Sequence, residues 1–423
     1  MPENRGHVKI FYGWWLVATS FFMSLYTAGA VYFGFTAVFE PIAQEFNWSY
    51  AQVSLAASLR GLEVGLLSPV VGFLIDRFGL RKVLYVGVAI GGAGLILLKY
   101  INSLGMYYFA FILVSIGLSA CGATLLMTAV VNWFRRRLTL AMAIVATGFA
   151  VGGLLVPIVS VMVDRLGWRD TMFWLGIGMF VIVIPLSTLM RHKPEQYGML
   201  PDGDALPKAD KTTPKIEFTE EDFTPGQALK TWGFWAISLA ALLQALVQNA
   251  VMVHIMPYLA TVGFSRTMSS FVASAIPLAS VVGRLGIGFV GDRFDKKWTL
   301  VAGFGLVSLG TLSLSYVDSG AWLVVLFFIL FGIGWGSTVT VRSLLVRDYF
   351  GKSRYGSIFG IYMGVLCIGA IIGPPISGWA YDTYGSYKET WLIYVALTVI
   401  SAIIMATAYK ARKSKSKLPV VAV

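Results

Sequence analysis

Apolar runs about as long as a membrane is thick alternate with short polar breaks along almost the whole chain. They fall at about 12–39, 51–75, 83–100, 107–131, 140–163 and 171–190, and after a polar interval at about 232–260, 268–290, 300–316, 321–345, 356–379 and 391–409. A helix needs roughly 20 apolar residues to cross the hydrocarbon layer, so each run predicts one crossing. The runs are continuously apolar rather than alternating, which excludes a β-barrel. The pattern therefore predicts an all-α membrane protein of 12 transmembrane helices. Residues 1–190 form an N-terminal six-helix bundle, 191–230 a cytoplasmic linker, 231–410 a C-terminal six-helix bundle and 411–423 a basic cytoplasmic tail. The linker is rich in Pro, Asp, Lys and Thr and cannot bury a core; its FTEEDFTPGQALK end is expected to form a short surface helix.

Composition agrees: of 423 residues 57% are apolar and 13% charged, and the mean hydropathy is +0.74. The net charge of +12 invites a nucleic-acid reading, but its distribution argues otherwise. The cations gather at Arg77-Arg81-Lys82, Arg135-Arg136-Arg137, the linker, Arg293-Lys296-Lys297, Arg347-Lys352-Arg354 and the tail from Lys410. These are alternate loops, as the positive-inside rule requires, so both termini face the cytoplasm and no nucleic-acid partner is implied. The first run is long and is followed by Glu40-Pro41 rather than by a small-residue cleavage site, so it is expected to stay as a helix. Cys121 and Cys367 each lie in an apolar run, one in each half, which argues against a disulfide. No metal-ligand spacing, phosphate loop or nucleophile–base pair stands out, so neither a cofactor nor an enzymatic activity is expected.

The two halves repeat each other. Gly72-Phe73-Leu74-Ile75-Asp76-Arg77-Phe78 returns 216 residues later, from 72 to 288, as Gly288-Phe289-Val290-Gly291-Asp292-Arg293-Phe294. The same displacement carries Trp48-Ser49 onto Phe264-Ser265. Pro157…Asp164-Arg165-Leu166-Gly167 is echoed by Pro375…Asp382-Thr383-Tyr384-Gly385, displaced by 218 from 164 to 382. Parallel repeats of a six-helix unit are the construction of secondary transporters that bind substrate between the halves near the midplane. Gly72, Asp76 and Arg77, with Gly288, Asp292 and Arg293, are thus candidates for a cytoplasmic gate motif.

GFLIDRFGLRK resembles the loop signature of the major facilitator superfamily, with its degenerate second copy in the matching loop. Trp133-Phe134-Arg135-Arg136-Arg137-Leu138-Thr139-Leu140-Ala141 through Gly148 is similar to the fifth-helix signature of the monocarboxylate transporters, and Phe11-Tyr12-Gly13-Trp14-Trp15 matches the Gly-Trp part of their first-helix signature without its acidic residue. The resemblance implies two pseudo-symmetric bundles in the major facilitator fold. Arg284, eight residues before Asp292, stands where that family carries its substrate-binding arginine, so the resemblance implies that it grips the substrate carboxylate. Ser280 stands where animal members have an Asp, and Phe33 where they have a Lys, so their proton-handling residues do not carry over.

The chemistry of Arg284 points the same way. A cation inside an apolar run costs roughly 2.5–3.5 kcal/mol by insertion scales and marks a functional site. A guanidinium matches a carboxylate fork and keeps its charge. No acid lies between Arg266 and Asp292, and the cytoplasmic surface is about 12 Å away at 1.5 Å per residue. The same depth on other helices offers Tyr26, Thr124, Gln248, Asn249 and Tyr362 as substrate-binding neighbours. His254 and Glu63 are proton-coupling candidates, although Glu63 also lies three residues from Arg60 and can simply pair with it. Lys99 and Arg342 read as snorkelling residues near helix ends.

The leading expectation is proton-coupled symport of a small monocarboxylate, such as lactate or pyruvate, across the cell membrane by alternating access, with a monomer sufficing. The first alternative is an organic-anion antiporter resembling the oxalate–formate exchangers. Those exchangers carry a lysine on the eleventh helix, whereas 356–379 holds no Lys or Arg. A transport-incompetent sensor on the same fold is a third reading, and it predicts a signalling domain beyond the bundle.

Overall fold

An unpaired backbone amide in hydrocarbon costs several kcal/mol, and a helix satisfies its amides within one segment. The computed structural model describes residues 11–59, 67–134, 137–191, 194–197, 199–203, 223–290, 295–351 and 354–410, and is helical with no strand among them. Every apolar run is helical over most of its described residues. In the N-terminal half the first helix is Tyr12–Phe46. The second is seen as Tyr50–Leu59 and Ser68–Phe78, and the third is Leu80–Leu98. The fourth is Leu104–Cys121 continued as Ala123–Trp133, and the fifth and sixth occupy Leu140–Thr188. The C-terminal half holds the seventh to twelfth helices at Trp232–Thr261, Arg266–Val290, Lys296–Ser315, Trp322–Phe350, Tyr355–Tyr384 and Lys388–Thr407.

Counted by length and hydropathy, ten described helices are able to cross a membrane, not twelve. Two features account for the difference. The fifth and sixth helices run on as one and reverse at Gly167, whose φ of +79° suits a residue without Cβ. Residues 60–66 of the second run lie outside the described residues, so that run is not counted. Gly167 has its counterpart in Gly385, also at positive φ, where the eleventh helix turns into the twelfth. The repeat seen in the sequence thus recurs in the backbone.

Several helices outrun the apolar segments that announced them. The first passes Glu40-Pro41 and ends at Asn47 in the left-handed region, and the tenth runs to Phe350. Hydropathy stops at the first charged residue, whereas a helix continues for one or two turns into the headgroup layer. Near the middle of the first helix, Thr27–Phe33 forms a π-helical turn. There the backbone meets the fifth helix so closely that a Cβ on Gly29 would lie 2.3 Å from the Gly152 carbonyl oxygen.

In the described part of the expected surface helix, from 223 to 230, Pro225–Ala228 is helical and is closed by a capping box between Thr224 and Gln227. Its entry is anchored to the C-terminal half, where the Phe223 amide donates to the Phe350 carbonyl at 3.0 Å and the two rings meet edge to face.

Candidate functional site

Small residues set the position of the central arginine. Where the eighth helix crosses the tenth, a Cβ on Gly336 would lie 1.9 Å from the Ser280 carbonyl oxygen, and one on Gly283 would lie 2.2 Å from that of Ile333. Only backbones without side chains approach so closely. The seventh and eleventh helices meet in the same way, with Gly369 and Gly373 against the carbonyls of Leu242 and Leu246. Ser280, where a family acid was absent, is fully buried, and its hydroxyl donates to the Pro277 carbonyl at 2.6 Å within its own helix.

These contacts frame a cavity of about 330 Å³ between the two halves. The first, second, fourth and fifth helices contribute Tyr32, Phe35, Ala57, Met127, Ala146 and Phe149. The opposite wall comes from Gln248 and Asn249 of the seventh helix, Arg284 of the eighth, Trp335, Val339 and Arg342 of the tenth, and Met363 to Pro374 of the eleventh. Arg284 Nη1 donates to the Ala146 carbonyl across the halves at 3.0 Å, while its buried Nε has no partner. No carboxylate is present among the described lining residues.

Arg342 corrects the sequence reading. It does not snorkel: it lines the same cavity as Arg284, and its buried Nε also has no partner. Its depth carried the signal, because Arg342 lies eight residues before the helix end at Phe350, as Arg284 lies eight before Asp292. Trp335, Val339 and Arg342 fall at i, i+4 and i+7, a single helix face. Tyr362, fully buried on the eleventh helix, sets its hydroxyl beside the Arg342 guanidinium.

The other residues singled out from sequence divide. Gln248 and Asn249 line the cavity with Arg284. Gln248 Nε2 is buried without a partner. Asn249 is committed at both ends: its Oδ1 accepts from the Tyr32 hydroxyl at 2.9 Å and its Nδ2 donates to Ala245 at 2.9 Å. Tyr26 points elsewhere, into the N-terminal bundle, where its hydroxyl donates to the Leu175 carbonyl at 2.6 Å and packs on Gly178. Phe33 is buried and meets Phe149 and Trp335 edge to face, so an aromatic bridge joins the halves where the family carries a lysine.

Thr124 is in the fourth helix, and its side chain lies outside the described residues, as do the side chains of Gly72, Asp76 and Gly288. Glu63, Asp292 and Arg293 lie outside them altogether. Arg77 is exposed, with its guanidinium 5.5 Å from the centre of the Phe78 ring.

His254 is fully buried with both ring nitrogens occupied: Nε2 lies 2.9 Å from the Pro374 carbonyl and Nδ1 2.9 Å from the Tyr387 hydroxyl. A carbonyl only accepts, so Nε2 carries a proton. A neutral ring then accepts from Tyr387 at Nδ1. Pro374 is itself a lining residue, so the histidine braces the cavity wall from behind.

On the outer side the halves are joined by two contacts at matched repeat positions. Arg266 Nε pairs with Asp164 at 2.7 Å, and its guanidinium also donates to the Ala37 carbonyl. Asp382, the repeat partner of Asp164, accepts from the backbone amides of Tyr50 and Ala51 at 2.9 Å each. It thereby caps the second helix from the opposite half. Tyr50 stacks on Tyr381, Tyr381 on Tyr387 and Tyr387 on Trp391, which continues the seal through the C-terminal half. Lys99, read as a snorkelling residue, pairs instead with Asp170 at 2.7 Å at the outer end of the third helix.

A family model described as the Major Facilitator Superfamily matches residues 15–265 and 237–422. Monocarboxylate transporter 12 of Xenopus laevis is 25% identical over 414 residues, covering 94% of this chain and 88% of that one. Monocarboxylate transporter 1 of Homo sapiens is 26% identical over 426 residues, covering 92% and 84%. Among solved structures, a bacterial homologue of the human lysosomal transporter Spinster, inward-facing and unoccupied, superposes with a TM-score of 0.71. It is 16% identical, with 95% of this chain and 98% of that chain covered, which is a likeness of fold.

Proposed function

Because the chain belongs to the major facilitator superfamily and is a multi-pass membrane transporter rather than an enzyme, we propose that it carries small monocarboxylates such as lactate or pyruvate together with a proton. The carrying observation is Arg284: a permanently charged fork with a free Nε, in a cavity between the halves whose described lining holds no acid. A desolvated cation costs several kcal/mol unless an anion joins it, and a carboxylate fits the guanidinium in a bidentate manner. The relatives named monocarboxylate transporters support the same substrate class. Transport proceeds by alternating access in the cell membrane, with a single chain as the working unit. The coupling proton travels on His254, on Glu63 or on the substrate carboxyl itself.

The test is uptake of labelled lactate into proteoliposomes under an imposed pH gradient. Uptake should follow the gradient and collapse with a protonophore. If Arg284→Ala, correctly folded, takes up lactate as fast as the wild type, the reading is wrong. A second reading, anion exchange of the oxalate–formate type, gains from one observation, the second cation at Arg342, although it sits on the tenth helix rather than the eleventh. Counterflow that persists without a pH gradient and ignores protonophore would favour it.

A further inference from the structure

Three buried donors bear on one small space and a fourth adjoins it. Arg284 Nε, Arg342 Nε and Gln248 Nε2 have no partner, and the Tyr362 hydroxyl sits beside Arg342. All are hydrogen-bond donors, and two belong to side chains that stay positive at any physiological pH. Both guanidiniums belong to the lining of the same cavity of about 330 Å³. A single carboxylate neutralises one of them and leaves the other buried and unpaired, which is the costly arrangement. A ligand with an acidic group at each end satisfies both.

We propose that Arg342, with Tyr362 and Gln248, forms a second anion-binding pole in the Arg284 cavity, so that the site accepts a short dicarboxylate held between the two arginines. The proposal rests on the reading that Arg284 holds a carboxylate, and extends it by naming the group at the other end. The apolar part of the cavity lining suits a methylene chain, since Met127, Phe149, Met252, Trp335 and Met363 all contribute to it. The volume of about 330 Å³ lies at the small end of ligand sites, which run from roughly 300 to 1,000 Å³. It favours acids of a few carbons over bulky ones.

Binding to the detergent-purified full chain tests the proposal. Titration calorimetry would compare C2–C6 dicarboxylates with monocarboxylates of equal chain length, for the wild type, Arg342→Gln, Arg342→Lys and Arg284→Gln. The expected result is a wild-type preference of at least tenfold for the best dicarboxylate over its monocarboxylate counterpart, about 1.4 kcal/mol at 25 °C. Arg342→Gln should erase that preference by weakening dicarboxylate binding at least tenfold more than monocarboxylate binding, and Arg342→Lys should restore part of it. Thermal unfolding of each variant identifies any that fail to fold, and the Lys variant, which keeps the charge, then stands in for the Gln variant.

Two outcomes overturn the second pole. Equal loss of both ligand classes in Arg342→Gln means that the two arginines grip one carboxylate together. No change in either class means that Arg342 does not reach the ligand. Failure of the underlying reading looks different: Arg284→Gln would then bind every acid as the wild type does, whatever Arg342 does.

Discussion

The same residue type does opposite work at two levels of this molecule. At the outer seal Arg266 is paired with Asp164 and bonded to the Ala37 carbonyl. In the cavity Arg284 reaches one backbone carbonyl, and neither it nor Arg342 meets a carboxylate among the described lining residues. The pair at the seal is partly exposed, at 28% and 44% of the side chains, so water shares the charge and the contact is a weak, reversible clasp. In the cavity the Nε atoms of Arg284 and Arg342 are buried without a partner, and no carboxylate stands among the described lining residues to answer them. An alternating transporter needs both: a seal that opens at small cost, and a centre whose electrostatics change when it is loaded.

The sharpest way to break this comparison is to remove the central charge. Arg284→Ala should lower lactate uptake by about 10- to 100-fold, because a hydrogen bond to a charged group contributes roughly 1.5–3 kcal/mol and each 1.4 kcal/mol is tenfold. Arg266→Ala, by contrast, should leave substrate affinity unchanged and act on the seal alone.

The seal itself is tested by opening it. Asp382→Ala removes an N-cap, about 1 kcal/mol, and Arg266→Ala removes the matched ion pair, about 0–1 kcal/mol. Together they should raise the population open to the outside by roughly 5- to 30-fold. Cys367, which lines the cavity, reports this through its rate of modification by an impermeant thiol reagent added outside, in a Cys121→Ser background. An unchanged rate would mean that the aromatic stack from Tyr50 to Trp391 holds the seal unaided.

The framework beneath the cavity is probed by Gly336→Ala. The added methyl meets the Ser280 carbonyl, so the eighth and tenth helices must separate. Overpacking of this kind costs about 1–3 kcal/mol, and the thermal midpoint in detergent should fall accordingly. The smallest effect belongs to Tyr26→Phe, which loses one hydrogen bond to Leu175, about 0.5–1.5 kcal/mol, and should leave binding untouched. A loss of substrate affinity in that variant would return Tyr26 to the site.

Much of the architecture was legible in the residues because the membrane leaves few choices. Hydrocarbon requires backbone amides to pair within each run, so the apolar runs read directly as helices, although ten rather than twelve described helices count as separate spans. The displaced copies of the loop motif announced the repeat before any coordinates did. Arg284 was visible for the same reason, as an isolated charge surrounded by apolar residues. Arg342 was not, because a cation near the cytoplasmic end of a helix ordinarily reaches the headgroups, and only the direction of its helix face separates the two outcomes.

The sequence by itself determined the local chemistry: helix against strand, the equivalence of Asp164 and Asp382, and a lone cation, Arg284, inside an apolar run. Tertiary structure decided which of these meet. It turned Tyr26 toward Leu175 and braced His254 between Pro374 and Tyr387. It brought Arg342 to Arg284 through the contact of Gly336 with Ser280. The division has a physical origin. Hydropathy and backbone pairing act within a segment and are written in consecutive residues. Rotation of one helix against another is settled by packing between residues far apart in the chain, and that rotation decides whether an arginine faces lipid headgroups or the cavity between the halves.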